Sequence, residues 1–274
     1  MKSINKQLII SDFDGTLANS QNTVSDRVRQ AINEYVACGG IFVVCTGRML
    51  KSILPRVREL GLKGLVAAYQ GSVIADIESG KLLRENSLSV DDCVEVCAFV
   101  EKHNFTCNTY CNEVLYTSLP AGDKGLVTYE TVTGVKAVSI DGKMSVFVRD
   151  NKLACNKITF LVYPNEREYL YNLLKCEFSE KFDVTCSAAS LVEISPKGDD
   201  KGVALKYIAD YFGIDLSSTV AVGDNLNDLS MIKIASVGAA VGNAVDGLKK
   251  EADYVSATNN DDAVAEIIEK FGFR

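Results

Sequence analysis

The chain reads as an α/β protein, a Rossmann-like doubly wound parallel-sheet core interrupted by an inserted α+β domain. Three observations predict this. Short apolar runs recur and each ends in a polar cluster, the pattern of buried parallel strands. Segments with apolar residues at helical spacing separate the early runs, as crossover helices do. The rhythm lapses after about residue 82 and returns near residue 188, which predicts a discontinuous core of residues 1–82 and 188–274 around an insert of residues 83–187.

Leu8-Ile9-Ile10 is the first run, and Ser11-Asp12-Phe13-Asp14-Gly15-Thr16-Leu17 ends it. Val24, Val28, Ala31, Ile32 and Tyr35 then fall at helical spacing, with Thr23 or Ser25 as N-cap and Gly39-Gly40 as the stop. Ile41 to Cys45 is a second strand, ending at Thr46-Gly47-Arg48, and a further helical stretch leads to Leu65 to Ala68 and then Tyr69-Gln70-Gly71. In the insert, Ser89 caps a helix reaching about His103, and Thr106 to Tyr110 with Val114 to Thr117 read as a hairpin. Val146 to Val148 and Ile158 to Tyr163 read as strands, followed by a helix over about 165–178. The core resumes with Leu191 to Ile194, a helix from Lys201 to Phe212 ending at Gly213, and strands at Thr219 to Val222 and Val237 to Val241. Asp261-Asp262 opens a last helix carrying Val264, Ile267, Ile268 and Phe271.

Composition narrows the class. With 274 residues, 47% apolar and 24% charged, the chain suits one large or two ordinary globular domains. No run reaches the ~18 apolar residues that span a bilayer, and the N-terminus lacks a signal-peptide apolar core, so a cytoplasmic protein without a membrane partner is expected. A net charge of −7 argues against a nucleic-acid partner, which calls for a basic face. Nine cysteines, an odd number, point to a reducing compartment with mostly buried thiols. Cys93 and Cys97, and Cys107 and Cys111, are spaced by four, without the C-x₂-C spacing of zinc sites. His103 is the lone histidine, so a general acid here is expected to be a carboxyl group.

Asp12 and Asp14 share a side of an extended chain at a strand's C-terminal end, where α/β sheets bind ligands. Two such carboxylates repel unless a cation lies between them, and Mg²⁺ is the natural hard ion. An EF-hand is excluded because Leu17 to Val28 supply no further ligand pattern. Lys197-Gly198-Asp199-Asp200-Lys201-Gly202 precedes the late helix, and Gly223-Asp224-Asn225-Leu226-Asn227-Asp228 follows a strand.

With Asp12-x-Asp14, Thr46-Gly47-Arg48, Lys201-Gly202 and Gly223 to Asp228 in this order, the chain resembles the haloacid dehalogenase superfamily of phosphohydrolases. The position of the large insert makes it similar to the Cof-type sugar-phosphatase branch, whose cap domain controls substrate access. The resemblance implies an aspartyl-phosphate mechanism with Asp12 as nucleophile and Asp14 as acid–base partner. It implies Mg²⁺ on the Asp12 carboxylate, the Asp14 backbone carbonyl and Asp224, with Asn227 and Asp228 supporting metal or phosphate. Phe13 (through its amide), Thr46, Gly47 and Lys201 would bind the phosphate, with Lys197 as second choice for the lysine.

Gln70-Gly71 stands where the family commonly has Asn-Gly. In the cap, Tyr110, Tyr116, Tyr129, Asn112, Asn156 and several lysines are candidate leaving-group contacts, while Arg48 suits a second anionic group or a structural ion pair. The expected function is a Mg²⁺-dependent phosphatase acting on a small phosphorylated metabolite, sugar phosphates above others. A phosphosugar mutase and a non-catalytic phosphometabolite sensor are the alternatives, and the expected state is a monomer or homodimer.

Overall fold

The computed structural model describes residues 2–188 and 190–274. In chain order its first elements are β1 (Leu8–Ser11), α1 (Asp26–Ala37), β2 (Ile41–Cys45), α2 (Leu50–Glu59), β3 (Leu65–Ala68), β4 (Val73–Asp76) and β5 (Leu82–Glu85). Next come α3 (Val90–Lys102), β6 (Asn108–Cys111), β7 (Val114–Thr117), α4 (Lys124–Thr133), β8 (Ala137–Ser139) and α5 (Met144–Asp150). Then follow β9 (Lys157–Leu161), α6 (Pro164–Phe178), β10 (Phe182–Ala188) and β11 (Leu191–Pro196). The last are α7 (Lys201–Phe212), β12 (Thr219–Gly223), α8 (Leu229–Ile234), β13 (Val237–Ala240), α9 (Asp246–Lys249), β14 (Tyr254–Val255) and α10 (Ala263–Ile267). The chain divides into two compact units, one running up to Arg84 and resuming over Asp200–Arg274, the other Glu85–Asp199.

The first unit is built on an eight-stranded sheet in the order β14-β13-β12-β1-β2-β3-β4-β5. From β14 to β3 neighbouring strands run parallel, and β4 returns antiparallel on β3. All four residues of β1 are buried, as a strand covered on both faces requires. β1 lies between β2 and β12, with Ser11 opposite both Val44 and Val222. The chain therefore winds outward from β1 in two directions, and such a switch point opens a crevice at the strands' C-terminal ends. α1 starts where the Ser25 side chain accepts from the Val28 amide at 3.2 Å, and it buries Val28, Ala31, Ile32 and Tyr35. Burying a side chain such as Val28 or Ile32 contributes ~1.5–3 kcal/mol. The chain turns out of α1 at Gly40, where a Cβ would strike the Tyr35 ring.

The second unit carries a six-stranded sheet, β10-β11-β9-β6-β7-β8, antiparallel except for β7 with β8. Its core joins Cys93, Val96, Cys97 and Val100 of α3 and Met144 and Val148 of α5 to Leu170, Leu174 and Phe178 of α6 and to Ile158, Phe160, Val192 and Ile194 of the sheet.

Two sequence expectations are corrected here. Val146 to Val148 lie in helix α5, not a strand, because Met144 and Val148 share its buried face while Val146 faces solvent. Leu191 to Ile194 belong to the second unit's sheet: β11 sits antiparallel between β10 and β9, with Val192 opposite Phe160. Among the described residues, no helix is long and apolar enough to cross a membrane.

Candidate active site

Four strand ends of the first unit bring the polar clusters to one edge, because β1, β2, β3 and β12 are mutually parallel. Asp12 follows β1, and its amide donates to Val222 O at 2.9 Å. Thr46 follows β2, its amide donating to Ala67 O at 2.9 Å, and its hydroxyl accepts from the Arg48 amide at 3.2 Å. Asp224 follows β12. Lys201 is the first residue of α7, whose N-cap Asp200 accepts from the Val203 amide at 2.8 Å.

Lys201 joins these ends. Its side chain has no exposed surface, and Nζ donates to Asp12 Oδ1 at 2.5 Å and Asp228 Oδ1 at 2.6 Å. Asp228 is itself fixed, because its Oδ2 accepts from the amides of Asp224 and Asn225 at 2.8 and 3.0 Å. Asp224 Oδ1 accepts from the Thr16 hydroxyl at 3.0 Å. Gly15 has φ +76° and lies so close that a Cβ there would come within 2.7 Å of Asp224 Oδ2. That position needs glycine for both its conformation and its space.

Burial holds the Asp12 carboxyl well above the usual carboxylate range. Lys201 opposes this, while Asp228 and Asp224 add to it. Asp224 is raised in the same way, by burial and then by Asp228. Burial alone would depress Lys201, but Asp12 and Asp228 outweigh it and hold the ammonium protonated. Beneath them Cys45 is pushed up to about 12, chiefly by burial, so it stays a thiol.

The donor set fits a hard divalent cation. Asp12, Asp224 and Asp228 each offer an oxygen within 4.8 Å of the others, against the buried ammonium of Lys201. Both oxygens of Asp228 already accept hydrogen bonds, which leaves the second oxygens of Asp12 and Asp224 as the less engaged donors.

Asp14 stands apart from this cluster. Its two oxygens accept from Arg48 Nη2 at 2.6 Å and Nε at 2.7 Å, a bidentate pair in which the Asp14 side chain is half exposed. The Arg48 and Arg56 guanidinium groups lie over the buried Phe13 ring, at 5.4 and 5.6 Å from its centroid. Asn227 Nδ2 donates to Gln70 Oε1 at 3.1 Å, and the Gln70 amide tip lies against Gly47. The longer Gln thus reaches across from β3 to the β12 loop.

Lys197, the other candidate lysine, lies in the second unit and donates to Ser179 O and Glu180 O, both at 2.8 Å. Of the cap candidates, Tyr110 and Tyr129 join through their hydroxyls, Tyr116 packs on Phe147, and Asn156 donates to Glu85 at 3.0 Å. Two contributors escaped the sequence reading. Thr16 was signalled by its place in the Asp-x-Asp-Gly-Thr run, but Asn243, whose amide donates to Gly15 O at 2.8 Å, carried no local signal.

The haloacid dehalogenase-like hydrolase family matches residues 9–268. The Bacillus subtilis 5-amino-6-(5-phospho-D-ribitylamino)uracil phosphatase YcsE is 29% identical over 269 residues, covering 97% of this chain and 96% of its own. The phosphatase YwpJ of the same organism is 28% identical, covering 96% and 98%. A solved haloacid dehalogenase-like hydrolase from Bacteroides thetaiotaomicron, 29% identical, superposes with a TM-score of 0.87 over 97% of this chain and 99% of its own. With a family match that runs nearly end to end and relatives that are phosphatases over their whole length, the chain belongs to the haloacid dehalogenase-like hydrolases, as a phosphoric monoester hydrolase.

Proposed function

We propose that the protein is a Mg²⁺-dependent phosphatase that hydrolyses small sugar or sugar-alcohol phosphates through an aspartyl-phosphate on Asp12. The observation that carries this is the buried Lys201 held between Asp12 and Asp228, with Asp224 beside them. A phosphate ester dianion repels nucleophiles, so the site must position and neutralise charge. Lys201 holds one oxygen of Asp12, and the other attacks phosphorus. The ester P–O bond breaks, and Asp14 gives a proton to the leaving oxygen. Asp14 then takes a proton from the water that cleaves the acyl phosphate, releasing inorganic phosphate and restoring Asp12.

Arg48 orients the Asp14 carboxyl, and proton transfer requires one of its two contacts to be given up, since a carboxylic O–H cannot accept from the guanidinium there. Thr46, Gly47 and the Phe13 amide receive the phosphoryl oxygens, and Asn227 supports them from the β12 loop. Asp12, Asp224 and the Asp14 carbonyl would hold Mg²⁺, with Asp228 orienting the loop. When bound, the ion supplies charge neutralisation between nucleophile and phosphoryl group. In this reading the second unit is the cap domain that controls substrate access. The phosphoribityl substrate in the name of the YcsE relative supports a polyhydroxylated ester.

The test is phosphate release from sugar phosphates, nucleotides and p-nitrophenyl phosphate, with and without Mg²⁺. Release that needs Mg²⁺ and disappears in Asp12→Asn is expected. Release that survives Asp12→Asn would sink the nucleophile assignment. Phosphate transfer between sugar positions without free phosphate would establish a mutase instead.

A further inference from the structure

The second unit gathers sulfur in a way the hydrolytic site does not use. Cys93 and Cys97 on α3, Cys107 just ahead of β6, Cys111 at its end and Cys155 ahead of β9 are all buried without exposed surface. Within this group Cys111 Sγ and Cys155 Sγ are 2.7 Å apart.

The backbone fixes that approach. Tyr110 lies opposite Lys157 in the antiparallel β6–β9 ladder, and the Asn156 amide donates to Tyr110 O at 2.8 Å. Cys155 is tied on its other side to Leu88, giving its amide at 3.2 Å and accepting at 2.9 Å. Both cysteines therefore sit on backbone hydrogen-bonded to a neighbour, and two thiols so placed can join without a large shift of the chain. Cys93 donates to Leu88 O at 3.6 Å and also lies within reach of Cys155, so Cys155 stands between two thiols, of which Cys111 at 2.7 Å is held by the sheet. A metal fits less well: among the described residues, the cluster whose ligand atoms converge on one point is Asp12, Asp224 and Asp228, not the cysteines.

We propose that Cys111 and Cys155 form a modification site, a dithiol that hydrogen peroxide converts to an intramolecular disulfide. The contact from Cys155 lowers the Cys111 thiol below its ordinary range, against the opposing effect of burial, while the same contact raises Cys155. The thiolate is the nucleophile, and in the proposed step Cys111 reacts first. Its sulfur attacks one peroxide oxygen and the O–O bond breaks, leaving a sulfenic acid and hydroxide. The Cys155 sulfur then attacks the Cys111 sulfur, forming the S–S bond and expelling the hydroxyl. Two thiols and one peroxide thus yield one disulfide and two waters, with both sulfurs oxidised and the peroxide reduced. The peroxide is small and uncharged, so it reaches a buried thiol through local opening rather than unfolding.

The test uses the full-length chain, reduced, freed of reductant and treated with hydrogen peroxide. Far-UV circular dichroism and p-nitrophenyl phosphate turnover are recorded after the treatment, to establish that the chain is still folded. Free thiols are then alkylated in denaturant and the digest is mapped by mass without reduction. The expected result is one linked pair of peptides containing Cys111 and Cys155, about 2 Da lighter than the two free-thiol peptides together, and separated by dithiothreitol. Separate alkylated Cys111 and Cys155 peptides, while the exposed Cys176 has been oxidised, would overturn the proposal. So would a link from Cys155 to Cys93, or a Cys111–Cys155 link that forms only in chain unfolded before oxidation. Cys155→Ser should stop Cys111 at a sulfenic or sulfinic acid. The wild-type map decides the matter even where that variant folds poorly.

Discussion

Lys201 is a lysine without exposed surface, and its surroundings say what removing it does. Lys201→Ala leaves the buried carboxylates of Asp12 and Asp228 facing each other without the ammonium between them. Breaking a buried pair in this way costs ~3–5 kcal/mol. The loss of a charge aimed at the reacting oxygens lowers turnover by about 10²–10³-fold. Thermal unfolding and phosphate release on the same sample check both, and near-normal turnover would remove Lys201 from the site. Part of the candidate site was legible at this scale because Asp12, Thr46 and Asp224 each follow a strand in a short polar cluster. Lys201 opens a helix instead, and the family resemblance, not its position, set it ahead of Lys197. The Asp14–Arg48 pair was less legible: Arg48 suited either a second anion or an ion pair, and only the placement of β1 beside β2 brings its guanidinium to Asp14. Asn243 was invisible, because its contact to Gly15 joins residues 228 apart.

Helices and strands were read best where their signals are local. α3 begins with a reciprocal cap: Ser89 Oγ accepts from the Asp92 amide, and the Asp92 carboxylate accepts from the Ser89 amide, both at 3.2 Å. Ser89→Ala should cost ~1 kcal/mol, seen as a lower urea midpoint with faster amide exchange in the first turn of α3. Unchanged exchange there would show that packing alone holds the turn. α5 failed for the opposite reason. Its N-terminus is capped by Glu101 of α3, which accepts from the Ser145 amide at 3.0 Å and hydroxyl at 2.6 Å. A long-range cap cannot be read from Val146 to Val148, so three apolar residues looked like a strand. β11 misled because Leu191-Val192-Glu193-Ile194 reads as a buried strand whichever sheet owns it. At the C-terminal helix, Glu266 accepts from the Tyr254 hydroxyl and from the Ala257 amide at 3.0 Å, and these hold its carboxyl below the usual range, the tyrosine contact first. A lowered folded-state value means this contribution is present above the unfolded value of about 4.3 and is lost as pH falls through the folded one. Glu266→Gln should therefore flatten the loss of stability below about pH 5, measured by thermal midpoints across pH 3–6. Curves of equal slope would refute it.

At the scale of the whole molecule, the charge of −7 and the crowded carboxylates of the first unit make a bound cation a stabilising ligand. Mg²⁺ at about 100 times its dissociation constant should add ~2.7 kcal/mol. For a chain of this size that is a rise of roughly 5–10 °C in the thermal midpoint, reversed by a chelator and absent in Asp224→Asn. No rise in the native chain would count against the metal site, independently of any activity. The discontinuous core has a further consequence, in time rather than in energy. Ser11 pairs with Val222, so the strand that leads to Asp12 waits for its second neighbour while some two hundred residues are made. At ~5–20 residues per second that delay is roughly 10–40 s on the ribosome. Through it the nascent chain holds Asp12 and Asp14 but not Lys201 or Asp224, and one edge of β1 stands open. A chain released before Lys201 would therefore carry Asp12, the proposed nucleophile, without its counter-charge. Translation itself acts as the safeguard, because the carboxylates around Asp12 are assembled only after Asp224 and Asp228 have been made.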